Sequence, residues 1–141
     1  MQGLTGLLWL QERNRQFNGG FLQRDVTYYL DGAQDEIAEI RQSLATKNHN
    51  ELELEIGDLL WDVLTLIHKF DHEGLIDRNR VCPRAVAKFA ERMPYNVLGY
   101  FEGEQATRDR DWDLAKELQK IRGVDESHEL VKKVWQSVKK S

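Results

Sequence analysis

Apolar residues recur along this chain at helical intervals and almost nowhere in strand-like alternation. Leu30, Ala33, Ile37, Ile40 and Leu44 follow one another at three or four residues and predict a helix from about Leu22 to Ala45. Ahead of it, Gly19-Gly20 closes a short helix over roughly Leu4–Phe17. The polar joint Thr46-Lys47-Asn48-His49-Asn50 ends the first long helix and offers Asn48 or Asn50 as the next N-cap; Glu53 stands where a capping box from Asn50 would place it. The following helix runs to about Glu73, with Gly74 as its stop. Its apolar residues, from Leu52 to Ile67, cover most of the circumference, which predicts a central helix enclosed by several neighbours. A third long helix is expected to hold Pro83 in its first turn and end near Arg92, because Pro94 forbids continuation. Val97–Gly103 reads as loop, Asp109 or Asp111 opens a helix to about Arg122, and Leu130 to Val138 is helix-spaced. The fold class is all-α, a bundle of four to five helices.

Charge changes the picture on the central helix. Glu51, Glu55, Asp58 and Asp62 fall within about 60° of one another on the helical wheel, and no lysine or arginine lies between Glu51 and Ile67. Two carboxylates about 5–6 Å apart repel by roughly 3 kcal/mol at an effective dielectric near 20. The preceding helix adds Asp35, Glu36 and Glu39. Either these acids are solvated or paired with arginines of another helix, or they face each other and need raised pKa values or a cation between them. An all-oxygen ligand set points to a hard ion, Mg²⁺ or Mn²⁺. A di-iron bundle is excluded, since no histidine follows a glutamate by three residues.

Composition narrows the classes. Apolar residues make up 40% and charged residues 31% of 141, as in a soluble globular protein of one domain. A net charge of -4 works against unaided binding to nucleic acid or an anionic membrane. The single cysteine, Cys82, fits a reducing cytoplasm and reads as a small buried residue. Met1–Leu10 lacks the basic start of an export signal, and there is no run of 18 apolar residues, so a cytoplasmic protein is expected. Asp109 to Asp113 has the alternating acids of a calcium loop but lacks its glycine and its closing glutamate. His68 and His72 share a helix face without a third ligand nearby. Trp61 reads as packing that can also wall a base pocket; Trp9 and Trp135 read as packing.

Glu36-Ile37-Ala38-Glu39, followed after fifteen residues by Glu55-Ile56-Gly57-Asp58, resembles the ExxE…ExxD signature of the MazG-type nucleoside triphosphate pyrophosphohydrolases. Lys88 with Arg92, and Trp112 with Lys116, are similar to downstream elements of that family, in the same order. Glu91 and Met93-Pro94-Tyr95-Asn96-Val97 depart from its usual residues and bear on base preference. The resemblance implies a MazG-like domain over residues 4–120 with an amphipathic tail over 121–141. It implies cleavage of a nucleoside triphosphate to the monophosphate and pyrophosphate, in a house-cleaning role toward unwanted nucleotides. Glu36, Glu39, Glu55 and Asp58 would bind Mg²⁺ and form the catalytic set. Lys88 and Arg92 would hold phosphates, Trp112 would face the base, and Lys116 would add a cation. The apolar surplus of the central helix implies a homo-oligomer, most simply a dimer. A regulatory nucleotide-binding module and a structural helical dimer are the alternatives.

Overall fold

The computed structural model describes residues 2–99 and 105–140. Helical periodicity is realised there in seven α-helices with no strand among the described residues: α1 (Gln2–Phe17), α2 (Val26–Ala45), α3 (His49–His72), α4 (Arg78–Arg92), α5 (Pro94–Leu98), α6 (Gln105–Arg122) and α7 (Glu129–Lys140). The chain divides into two compact units, Met1–Arg78 and Asn79–Ser141. No helix among the described residues is long and apolar enough to cross a membrane.

In the first unit a 3-10 turn over Gly19–Gln23 precedes α2, which starts at Val26 and not at Leu22. The Asp25 side chain fixes that start by accepting from the Thr27 N–H at 2.7 Å. Of the two candidate caps for α3, Asn48 is the one used, its Oδ1 accepting from the Glu51 N–H at 3.2 Å. The corner between α2 and α3 is a Schellman turn, with the Lys47 N–H on the Leu44 carbonyl and the Asn48 N–H on the Ser43 carbonyl. Lys47 occupies its left-handed position, φ 55°, where glycine is the usual residue. Glycine fills the equivalent position at the end of α3, where Gly74 has φ 74°.

So short a corner folds α3 back antiparallel on α2. The register sets Gly32 against Asp62 and Glu36 with Glu39 against Glu55. Helix α1 is tied to α3 by Gln11, which is fully buried and donates to Thr65 Oγ1 at 2.8 Å and to the Trp61 carbonyl at 3.2 Å. Lys69 is 2% exposed and pairs with Glu73 at 2.8 Å.

Within the first unit, among the described residues, α3 is only partly enclosed. Leu59, Leu60, Leu64 and Ile67 are partly buried, whereas Leu54, Ile56 and Val63 are exposed, as are Trp9 on α1 and Ile37 and Leu44 on α2.

In the second unit Ala87, Ala90 and Val131 form a buried core, flanked by Val97, Val124, Leu130 and Val134 from α5, α7 and the segment before α7. Helix α4 begins at Arg78, so Pro83 lies in its second turn and not its first. It forgoes the bond its N–H would have given to the Asn79 carbonyl. Pro94 starts the short helix α5, placing Val97 and Leu98 in helix where loop was expected; residues 100–103 of that predicted loop lie outside the described residues. Helix α6 is already formed at Gln105, upstream of Asp109 and Asp111. Cys82 is exposed, contrary to expectation, and Trp9 and Trp135 are too exposed to serve as packing within the chain.

Candidate active site

Residues three apart on a helix share a face, and the α2–α3 register turns two such faces toward each other. Carboxyl oxygens of Glu36, Glu39 and Glu55 lie within 4.8 Å of one another. Glu36 engages Glu55 and Glu39 by hydrogen bonding, while its Oε2 is buried and has no partner. Burial, then those two neighbours, then the charge of Asp58, push the Glu36 carboxyl up to about 7. Glu55 is also raised, by burial first, against the lowering effect of the hydrogen bond it receives from Glu36. Three acids therefore crowd one space, and that crowding favours the protonated form of Glu36.

Asp58 is exposed and stands outside this triad, yet near enough for its charge to raise both Glu36 and Asp62. Asp62 is half-buried and is raised chiefly by burial. A cavity of about 960 Å³ opens beside the triad, lined by Glu36 and by Asp62, Trp61, Thr65, Tyr28 and Tyr29 among others.

The donor set fits a hard divalent cation. Three carboxylates can converge on one point, and the unpartnered Glu36 oxygen is the lone pair such an ion would engage. Nothing in the triad offers nitrogen or sulfur, which disfavours softer ions.

In the second unit Lys88, Arg92 and Lys116 line one groove together with Arg84, Gln119 and Lys120. Glu91, adjacent in sequence and a plausible neutralising partner, is instead bound to Arg122. Gln119 organises the groove. It is 7% exposed, accepts from Arg92 Nε at 2.9 Å and donates to the Lys88 carbonyl at 3.2 Å. Trp112 carries the Arg92 guanidinium 5.2 Å from its ring centroid and lies 6.0 Å from the Phe89 ring. Its ring thus supports Arg92. Gln119 and Gln11 were not singled out from sequence, because a glutamine carries no periodic signal that distinguishes a buried bridge from a solvated side chain.

Antiparallel α2 and α3 thus set the ExxE acids of one helix against Glu55 of the other, an arrangement suited to nucleotide pyrophosphohydrolase chemistry. The chain belongs to the MazG nucleotide pyrophosphohydrolase domain family, which it matches over residues 25–97. That stretch contains the acids of both helices together with Lys88 and Arg92, while Trp112 and Lys116 lie beyond it. No curated protein and no solved structure matches the chain.

Proposed function

We propose that this chain is a Mg²⁺-dependent nucleotide pyrophosphohydrolase that converts a nucleoside triphosphate to the monophosphate and pyrophosphate, acting on unwanted nucleotides as a homo-oligomer. The observation that carries the reading is the convergence of Glu36, Glu39 and Glu55, with one buried Glu36 oxygen unpartnered. Membership of the family supports the general activity, and the acids supply the chemistry it needs.

Glu36, Glu39 and Glu55, with Asp58 at their margin, would hold the ion. When bound, the ion would supply positive charge against the negative charge developing on the phosphates and would acidify water. Glu36 would have to be ionised to hold it, so the triad would be fully anionic only where a cation balances it. A carboxylate not fully engaged by the ion would accept the proton of the attacking water, and Asp58, exposed at the margin of the triad, is placed for either role. Water attack at the α-phosphorus breaks the α–β anhydride, and the electron pair leaves with pyrophosphate. The resemblance assigns Lys88, Arg92 and Lys116, which line one groove of the second unit, to the charge that a polyphosphate requires. Gln119 fixes the direction of Arg92 by taking up its Nε–H.

Pyrophosphate release from a panel of nucleoside triphosphates, with and without Mg²⁺, tests the proposal. Glu55→Gln is expected to lower release by roughly 100-fold or more while leaving the helical spectrum intact. Retained activity in that variant removes the triad from the mechanism. Metal-dependent nucleotide binding with no product from the wild type establishes a regulatory module in place of an enzyme.

A further inference from the structure

The cavity beside the triad has a chemistry of its own. Seven residues separate Glu55 from Asp62, about 10 Å along the axis of α3, a span suited to a nucleoside whose phosphates sit at the triad. Trp61, Tyr28 and Tyr29 line that space, Tyr28 with the Arg24 guanidinium 4.3 Å from its ring centroid and Tyr29 set edge-on to it, and together they bring aromatic surface to the cavity. Asp62 lines it too, half-buried, and among the described residues no hydrogen bond or ion pair engages its carboxylate. Across from it stands Gly32, where an added Cβ would lie 3.6 Å from Asp62 Oδ2. A side chain longer than alanine there would press on the carboxylate, and glycine leaves that flank open.

A half-buried carboxylate without a partner is costly unless a ligand supplies donors. An ionised carboxylate only accepts hydrogen bonds, and it binds best to two parallel N–H groups, as it does with guanidinium. Among the nucleobases guanine presents that arrangement, a ring N1–H beside an exocyclic 2-amino group. Adenine and cytosine place a ring acceptor next to their amine, which would face a carboxylate oxygen lone pair to lone pair. Uracil and thymine flank the ring N–H with two carbonyls, and hypoxanthine with one carbonyl and a C–H, so all three lack the neighbouring amine.

We infer that Asp62 is a base-reading residue, and that the cavity bounded by α1, the Gly19–Gln23 turn, α2 and α3 selects nucleotides carrying a guanine-type donor–donor edge. The inference rests on the proposal that a nucleotide is bound at the acid triad. It adds to that proposal the class of base.

The experiment compares GMP with IMP, AMP, CMP and UMP by NMR titration in the absence of divalent metal. In parallel, pyrophosphate release is measured from the five corresponding triphosphates with Mg²⁺. GMP is expected to bind roughly 10- to 100-fold more tightly than IMP, the value of one charge-assisted hydrogen bond. Asp62→Asn, whose amide presents a donor beside an acceptor, is expected to bring that ratio within about threefold and to improve AMP and CMP. Asp62→Ala serves as a second variant that only removes the carboxylate, and thermal melts of both check folding. Equal binding of GMP and IMP, or a ratio unchanged by both substitutions, overturns the assignment. So does a parallel loss of Mg²⁺ affinity in Asp62→Asn, which would make Asp62 an ion ligand. Turnover with no guanine preference sinks this inference alone, whereas guanine preference without turnover of any triphosphate sinks the hydrolase proposal alone.

Discussion

Glu36 is the residue on which charge, burial and packing meet. Its carboxyl is raised from 4.5 to about 7, so the folded chain holds a proton that the unfolded chain has released. Where the folded state binds more protons, stability declines as pH rises. The metal-free protein therefore keeps this group's full contribution below about 4.5 and loses it as the pH climbs through about 7. Urea unfolding at pH 5 and pH 8 checks the sign. The wild type is expected to be weaker at pH 8, Glu36→Gln to show a flatter dependence, and added Mg²⁺ to restore the wild type at pH 8 but not the variant. Gln119 sets a second residue-scale expectation. Gln119→Ala removes the partner of Arg92 and of the Lys88 carbonyl, at a cost of about 1–3 kcal/mol. Steady-state kinetics are expected to show a raised KM from a misdirected Arg92. Periodicity placed acids on one face of each of α2 and α3, and the resemblance to the ExxE…ExxD signature singled out Glu36, Glu39, Glu55 and Asp58 among them. The glutamine bridges were not, because their partners come from helices distant in the chain.

At the scale of the element, the α2–α3 corner sets the register and so the site. Lys47 holds a left-handed backbone conformation that costs an L-residue roughly 1 kcal/mol relative to glycine. Lys47→Gly is expected to raise the denaturation midpoint accordingly with turnover unchanged; a loss of stability would show that the lysine side chain compensates. Helix existence was readable from spacing, and the α3 cap was narrowed to Asn48 or Asn50, with Glu53 pointing to Asn50 and the structure using Asn48. Helix starts were less so. Asp25 initiates α2 later than the apolar pattern predicts, and α4 accommodates Pro83 one turn deeper than proline's preference for helix starts implies. Enclosure of α3 was beyond reach of any single-chain pattern, since an apolar face records that a neighbour is needed and not which chain provides it.

For the whole molecule, the two units differ in what holds them. Ala87, Ala90 and Val131, the buried apolar residues among those described, all lie in the second unit. The first unit buries Gln11, Ser43, Thr65 and Lys69 but leaves Leu54 at 63% and Ile56 at 52% exposed. Exposed apolar surface on that scale favours self-association. Sedimentation is expected to give at least twice the mass of the chain, and a Leu54→Lys, Ile56→Lys double variant to shift it toward the monomer. Unchanged mass in that variant would place the interface elsewhere. The asymmetry has a consequence for handling the enzyme. If the acid-bearing half borrows its core from a neighbouring copy, dilution alone inactivates it: catalysis fades below the dissociation constant of the assembly while the lysine- and arginine-bearing half still reports an intact helical signal.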